Sequence, residues 1–232
     1  MALILSIETS SKNCSVAISK NGETQYLHEE FDENYCHGER LHSIIHSLLQ
    51  EHSFSINDID AFSLSYGPGS YTGLRIGASA VKGFAFALSK PIVLIPTLQS
   101  LAKSYLIKNT DNVKFICPTL DSRQGEVYSA VYTNKLQPLI QSHSCVLSKD
   151  SFKHILSKGK CIFFGTGIDK LKSFLNHKNF NFIDSQWLPS ARSLGQLSYE
   201  KFLKKDFADI AYFEPLYLKN FIPTKPKKKF NI

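Results

Sequence analysis

The chain lacks any long apolar run. No stretch of its 232 residues approaches the roughly 20 consecutive apolar positions of a membrane span. The opening apolar run, Met1 to Ile7, is too short for a secretory signal; it has no basic flank and stops at Glu8. A soluble, cytoplasmic protein is expected. Cysteines are few, scattered and odd in number: Cys14, Cys36, Cys117, Cys145 and Cys161, with no C-x-x-C pair. That pattern excludes a disulfide framework and a zinc knuckle. A Walker A motif is missing, since no Gly-Lys-Ser/Thr follows the glycine-rich stretch at the required spacing. The dinucleotide fingerprint is missing too, because three residues rather than two separate Gly69 from Gly73.

Hydrophobic residues make up 43% of the chain, with 17 Phe and 10 Tyr, enough for a folded core. The length suits one large domain or two small ones. The formal charge of +7 is unevenly placed. The stretch from Lys219 to Ile232 carries Lys219, Lys225, Lys227, Lys228 and Lys229 and no acid, so the body is nearly neutral. Such a tail suits loose contact with an RNA backbone, with Lys225, Lys227, Lys228 and Lys229 as candidate contacts.

Period-two alternation predicts strands over 3–8, 14–18 and 24–31. Asn21-Gly22 predicts a two-residue hairpin turn between the second and third. Apolar residues at helical spacing predict a helix over 38–52. A strand over 59–66, a helix over 72–89, a strand over 92–95 and a helix over 97–108 follow. Three antiparallel strands, then helix, strand, helix and strand, is the order of a ribonuclease-H-like half. A second half resumes with a hairpin over 113–120 and 126–132, a strand over 161–164, and helices over 168–175 and 191–202. The polar stretch 108–112 marks the boundary, giving halves of 1–110 and 111–232. The final helix has room to pack back on the first half.

Residues 67–77 are the most informative of the chain: Gly67-Pro68-Gly69-Ser70-Tyr71-Thr72-Gly73-Leu74-Arg75-Ile76-Gly77. They join a strand to a helix whose clearly polar residues are only Arg75, Ser79, Lys82 and Ser89. A helix apolar nearly all round is covered on more than one side. Gly73, Gly77 and Ala80 give room for close helix packing. The second cover comes either from elsewhere in this chain or from another subunit; for the latter, a partner surface is expected on Leu41, Ile45 and Leu48 of the first helix and on Gly73, Leu74, Gly77, Ala78 and Val81 of the second. Gly67, Gly69, Ser70 and Thr72 are a secondary candidate for an anion or nucleotide loop, because helix N-terminal amides point that way. Five of the eight histidines fall between His28 and His52, yet there is no H-E-x-x-H, and no metal site is expected. Glu8, Asp60, Asp121 and Glu126 are candidate carboxylates that spacing alone cannot pair.

The stretch from Tyr66 to Gly77 closely resembles the signature of the TsaB (YeaZ) family. The opening Ile4-Leu5-Ser6-Ile7-Glu8-Thr9-Ser10, His37-Gly38-Glu39-Arg40-Leu41, Asp121-Ser122-Arg123-Gln124-Gly125-Glu126-Val127-Tyr128 and Pro215-Leu216-Tyr217-Leu218-Lys219 support it in order. The resemblance implies an α/β actin/Hsp70/sugar-kinase-like fold with two ribonuclease-H-like halves and mixed sheets. It implies a subunit needed to form N6-threonylcarbamoyladenosine at position 37 of tRNAs. The implied partners are a catalytic TsaD-type subunit, docked through the helices of the first half, a P-loop ATPase of the TsaE type, and tRNA through the complex. It implies no cofactor of the chain's own, with ATP and a divalent metal used by the partner subunits. A homodimer of the isolated chain is also compatible with an exposed apolar helix face. The catalytic relative carries an H-x-x-x-H metal motif where this chain reads Thr97-Leu98-Gln99-Ser100-Leu101. That departure favours a subunit without chemistry of its own. The rival reading is an independent enzyme, a kinase-like phosphotransferase or a metallopeptidase of the wider superfamily.

Overall fold

The computed structural model describes residues 1–32, 37–109, 113–123, 125–183 and 187–219. Its first half runs β1 (Leu3–Glu8), β2 (Asn13–Lys20), β3 (Glu23–Phe31), α1 (His37–Glu51), β4 (Ala61–Ser65), α2 (Tyr71–Leu88), β5 (Ile92–Ile95) and α3 (Thr97–Lys108). The strands form one mixed sheet in the order β3-β2-β1-β4-β5. β1, β2 and β3 are antiparallel, and β4 and β5 extend the sheet in parallel from β1. At the β2–β3 turn Asn21 and Gly22 have φ of 51° and 89°, the positive values that a two-residue hairpin needs.

The second half repeats this plan with β6 (Phe115–Asp121), β7 (Glu126–Thr133), β8 (Pro138–Val146), α4 (Lys153–Leu156), β9 (Cys161–Phe164), α5 (Ile168–Phe174), β10 (Phe180–Phe182) and α6 (Leu194–Leu203). Its sheet order, β8-β7-β6-β9-β10, matches the first position by position, with β6–β7 and β7–β8 antiparallel and β9 and β10 extending in parallel from β6. The α/β class with two ribonuclease-H-like halves and mixed sheets is thus the observed architecture. β8 and β10 are additions to the predicted elements. Both are edge strands, and the middle of β8, Gln141-Ser142-His143-Ser144, is polar. An edge strand half open to water shows no clean apolar alternation. Residues 110–112, where the predicted halves meet, lie outside the described residues.

The two halves exchange helices. α3 buries Leu98, Leu101, Ala102 and Tyr105 against Ile116, Ala130, Tyr132 and Phe164 of the second sheet. Conversely, α6 and the turn before it bury Ala191, Leu194 and Leu197 against Ala17, Val93 and Ile95 of the first. Hydroxyl pairs pin the crossing: Ser100–Ser193 at 2.8 Å and Ser63–Ser198 at 2.5 Å. The chain after α6 then returns along the first half. Ala208 bridges to Ile92 of β5, and the Leu216 amide donates to the Tyr66 carbonyl at 2.8 Å. This C-terminal strap runs beside α2. α1 and α2 cover the opposite face of the first sheet from α6, through Leu41, Ile44, Ile45, Leu48, Ala78 and Val81. Among the described residues no helix is long and apolar enough to cross a membrane.

Candidate functional site: the signature loop and the α1–α2 face

The glycines of the signature fit against the turn between β1 and β2. A Cβ on Gly69 would fall on the Ser10 carbonyl and side chain, and one on Gly73 would fall on the Thr9 carbonyl. One on Gly77 would meet Thr9 Oγ1 at 2.5 Å and Leu64 at 2.9 Å. Spaced four apart, the three form a track along which residues 9–12 cross the start of α2. Hydrogen bonds fasten the crossing. The Ser70 amide donates to the Ser10 carbonyl at 2.7 Å, and Thr9 Oγ1 donates to the Gly73 carbonyl at 2.8 Å. Ser70 caps α2 by accepting the Gly73 amide at 3.3 Å.

This geometry changes two expectations. Gly73 and Gly77 admit a loop of this chain, not another helix. The loop expected to cradle an anion is largely filled by the protein itself. The Gly67 amide donates to Thr97 Oγ1 at 3.1 Å, the Ser70 amide is spent on Ser10, and Leu216 packs over Gly67. Of the four loop residues, Gly69 and Ser70 border the interlobe cleft, and Thr72 borders the face of α2 described below. Thr97 is buried; its hydroxyl also pairs with Ser65 at 2.8 Å.

Beneath the crossing lies Glu8, fully buried at the end of β1. Its Oε1 accepts the Ser10 amide at 2.6 Å, while its enclosed Oε2 has no hydrogen bond of standard geometry. Burial pushes its pKa up from 4.5 to about 7, and the Ser10 and Ser65 hydroxyls offset only part of that rise. The other candidate carboxylates are structural. Asp60 accepts the Leu3 amide at 2.8 Å. Asp121 pairs with Lys170 at 2.6 Å, and Glu126 pairs with Lys219 of the strap. Lys170 also donates to the carbonyls of Arg123, Ser122 and Glu126 at 2.8, 3.0 and 3.3 Å, clamping the β6–β7 turn. Among the described residues no three His, Cys, Asp or Glu side chains gather as metal ligands.

Two concavities adjoin the signature. The cleft between the halves, about 780 Å³, is bordered by Lys12, Ser70, Tyr128, Arg123 and Lys219 among others. The second is a shallow groove of about 580 Å³ between α1 and α2, bordered by Gly38, His42, Ile76, Ser79, Ala80, Gly83 and Phe84. Its floor is firm: Phe84 stacks on Phe62 at 5.4 Å and receives the edge of His42 at 5.7 Å. Open space surrounds Gly83, so a Cβ there would touch nothing within 4 Å. One turn beyond, Phe86 is 81% exposed.

The partner surface expected from sequence needs correction at residue level. Leu41, Ile45, Leu48, Gly73, Leu74, Gly77, Ala78 and Val81 are all buried within this chain. They face the first sheet and the 9–12 crossing. The available face of the same two helices is offset from them, on Gly38 and His42 of α1 and Thr72, Ile76, Ser79 and Gly83 of α2. The polar stripe of α2 is also partly used. Lys82 donates to the Ala211 carbonyl at 3.2 Å, and Arg75 donates to Tyr217 at 3.1 Å, both in the strap. The candidate tRNA contacts Lys225, Lys227, Lys228 and Lys229 lie outside the described residues.

The family model for TsaD, tRNA N6-adenosine threonylcarbamoyltransferase, matches residues 34–219. The chain belongs to the TsaD-type family. Over nearly its whole length it resembles proteins named for tRNA threonylcarbamoyladenosine biosynthesis, TsaB. The one from Haemophilus influenzae is 28% identical over 96% of this chain and 95% of its own. The one from Escherichia coli is 27% identical over 96% of each. In structure, YeaZ from Pseudomonas aeruginosa superposes with a TM-score of 0.77 at 25% identity, covering 94% of this chain and all of that one.

Proposed function

We propose that this chain is the non-catalytic partner of a TsaD-type transferase in forming N6-threonylcarbamoyladenosine on tRNA, and that it docks through the α1–α2 groove. The groove carries this reading. It lies on the helix that the signature opens, and small residues (Gly38, Ser79, Ala80 and Gly83) line it beside Ile76 over an aromatic floor, with His42, Thr72 and Arg75 at its border. No described part of the chain fills it. Small residues let a second helix approach closely, and apolar burial of that kind drives association. The occupation of Thr97 in a structural network supports a subunit that leaves the chemistry to its relative. A P-loop ATPase of the TsaE type, and tRNA bound by the whole assembly, complete the proposed machinery. The cytoplasm is its proposed compartment, in keeping with free thiols at Cys14, Cys117, Cys145 and Cys161.

Gly83→Glu tests the docking. Its Cβ enters open space, and replacing a mid-helix glycine removes a conformational cost of roughly 0.5–1 kcal/mol. The isolated variant is expected to be at least as stable as the parent, yet to lose co-purification with the TsaD-type subunit. Retained co-purification would remove the groove from the interface. A charge at Ala78 is not an equivalent test, because that side chain is only 6% exposed and the monomer itself would suffer.

A further inference from the structure

We infer that Arg75 receives a carboxylate from the docked subunit, so that the α1–α2 groove recognises a helix presenting one acidic side chain beside a small apolar surface. The inference rests on the docking reading above. Arg75 stands on α2 where the groove meets the mouth of the cleft. Its guanidinium lies 4.1 Å over the Tyr71 ring and 6.0 Å from the centre of the Tyr217 ring. Those two rings are 4.9 Å apart. Nε donates to the Tyr217 hydroxyl at 3.1 Å, and Nη2 donates to the Tyr71 hydroxyl. Two aromatic flanks and two hydrogen bonds therefore hold the guanidinium plane before any partner arrives.

A guanidinium carries five N–H donors, and two are used, so three remain. No acidic side chain among the described residues pairs with Arg75. The residues bordering the groove include no Asp or Glu, so Arg75 is its fixed charge. The charge complement of such a face is a single anion. A planar fork with free parallel donors selects a carboxylate over a point charge. Arginine and tyrosine are also among the side chains enriched where interfaces concentrate their energy.

The test measures association of the full chain with its TsaD-type subunit across a series of salt concentrations. Arg75→Met is expected to weaken association by about 30-fold or more and to flatten its salt dependence. Arg75→Lys, which keeps charge but loses the fork, should fall between. Arg75→Glu should bind worst and be rescued by changing one interface acid of the partner to arginine. If Arg75→Met binds like the parent while Gly83→Glu does not, the carboxylate is wrong and the docking groove stands. If both bind like the parent, the groove falls as well. Weakened binding with an unchanged salt dependence in Arg75→Met would assign Arg75 to holding the strap at Tyr217, and would also overturn the inference.

Discussion

Replacing Glu8 by glutamine should stabilise this protein, and do so only above a definite pH. The folded state holds the Glu8 proton until about pH 7, whereas the unfolded chain releases it near 4.5. Below that lower value both states are protonated and no charge is buried. As pH rises from there, the unfolded state ionises first and stability falls. Above about 7 the folded state carries an enclosed carboxylate, and the loss is complete. At 1.36 kcal/mol per pH unit the interval corresponds to about 3 kcal/mol. Glutamine keeps an oxygen for the Ser10 amide, which Oε1 accepts at 2.6 Å, and it does not ionise. Denaturant unfolding of both proteins at pH 4 and pH 8.5 measures the difference. The variant should match the parent to within about 1 kcal/mol at the lower pH and exceed it by about 2–3 kcal/mol at the higher. An equal difference at both values, or a variant that loses stability as pH rises, would refute the assignment of a desolvated carboxylate at the base of the crossing.

Other expectations concern packing. Gly73→Ala should cost about 1–3 kcal/mol, because its Cβ would strike the fixed Thr9 carbonyl; a thermal melt reads this directly. Lys170→Met should loosen the β6–β7 turn by removing the ammonium that three carbonyls and Asp121 share, at a cost of about 2 kcal/mol. Faster hydrogen exchange confined to residues around 121–127 is the expected signature, and unchanged protection there would contradict the clamp.

Much of the fold was legible because it is local. The Asn21-Gly22 turn, the alternation of β1 and the spacing of α1 each follow from a few neighbouring residues. β8 and β10 were not, since both are largely open to water and their polar residues blur the pattern. The candidate site was legible by place but not by face. Periodicity showed that α2 is covered on several sides. It could not show that one side meets the sheet, a second the 9–12 crossing and a third the C-terminal strap. For that reason Gly73 and Gly77, read as room for a helix, turn out to serve a loop 64 residues earlier in the chain. The same limit hid Arg75, whose place depends on Tyr217, 142 residues away. Only Tyr71, one helical turn before it, offered a local signal, through the stacking of an aromatic ring at that spacing. Glu8 carried no local sign of its burial; that arises from the crossing of two segments above it.

The central claim is that this chain acts by docking a TsaD-type subunit in the α1–α2 groove. Sedimentation velocity of an equimolar mixture with that subunit, parent against Gly83→Glu, tests it most directly. The parent should sediment as a single complex and the variant as two separate, folded components. A variant that forms the same complex as the parent would contradict the account.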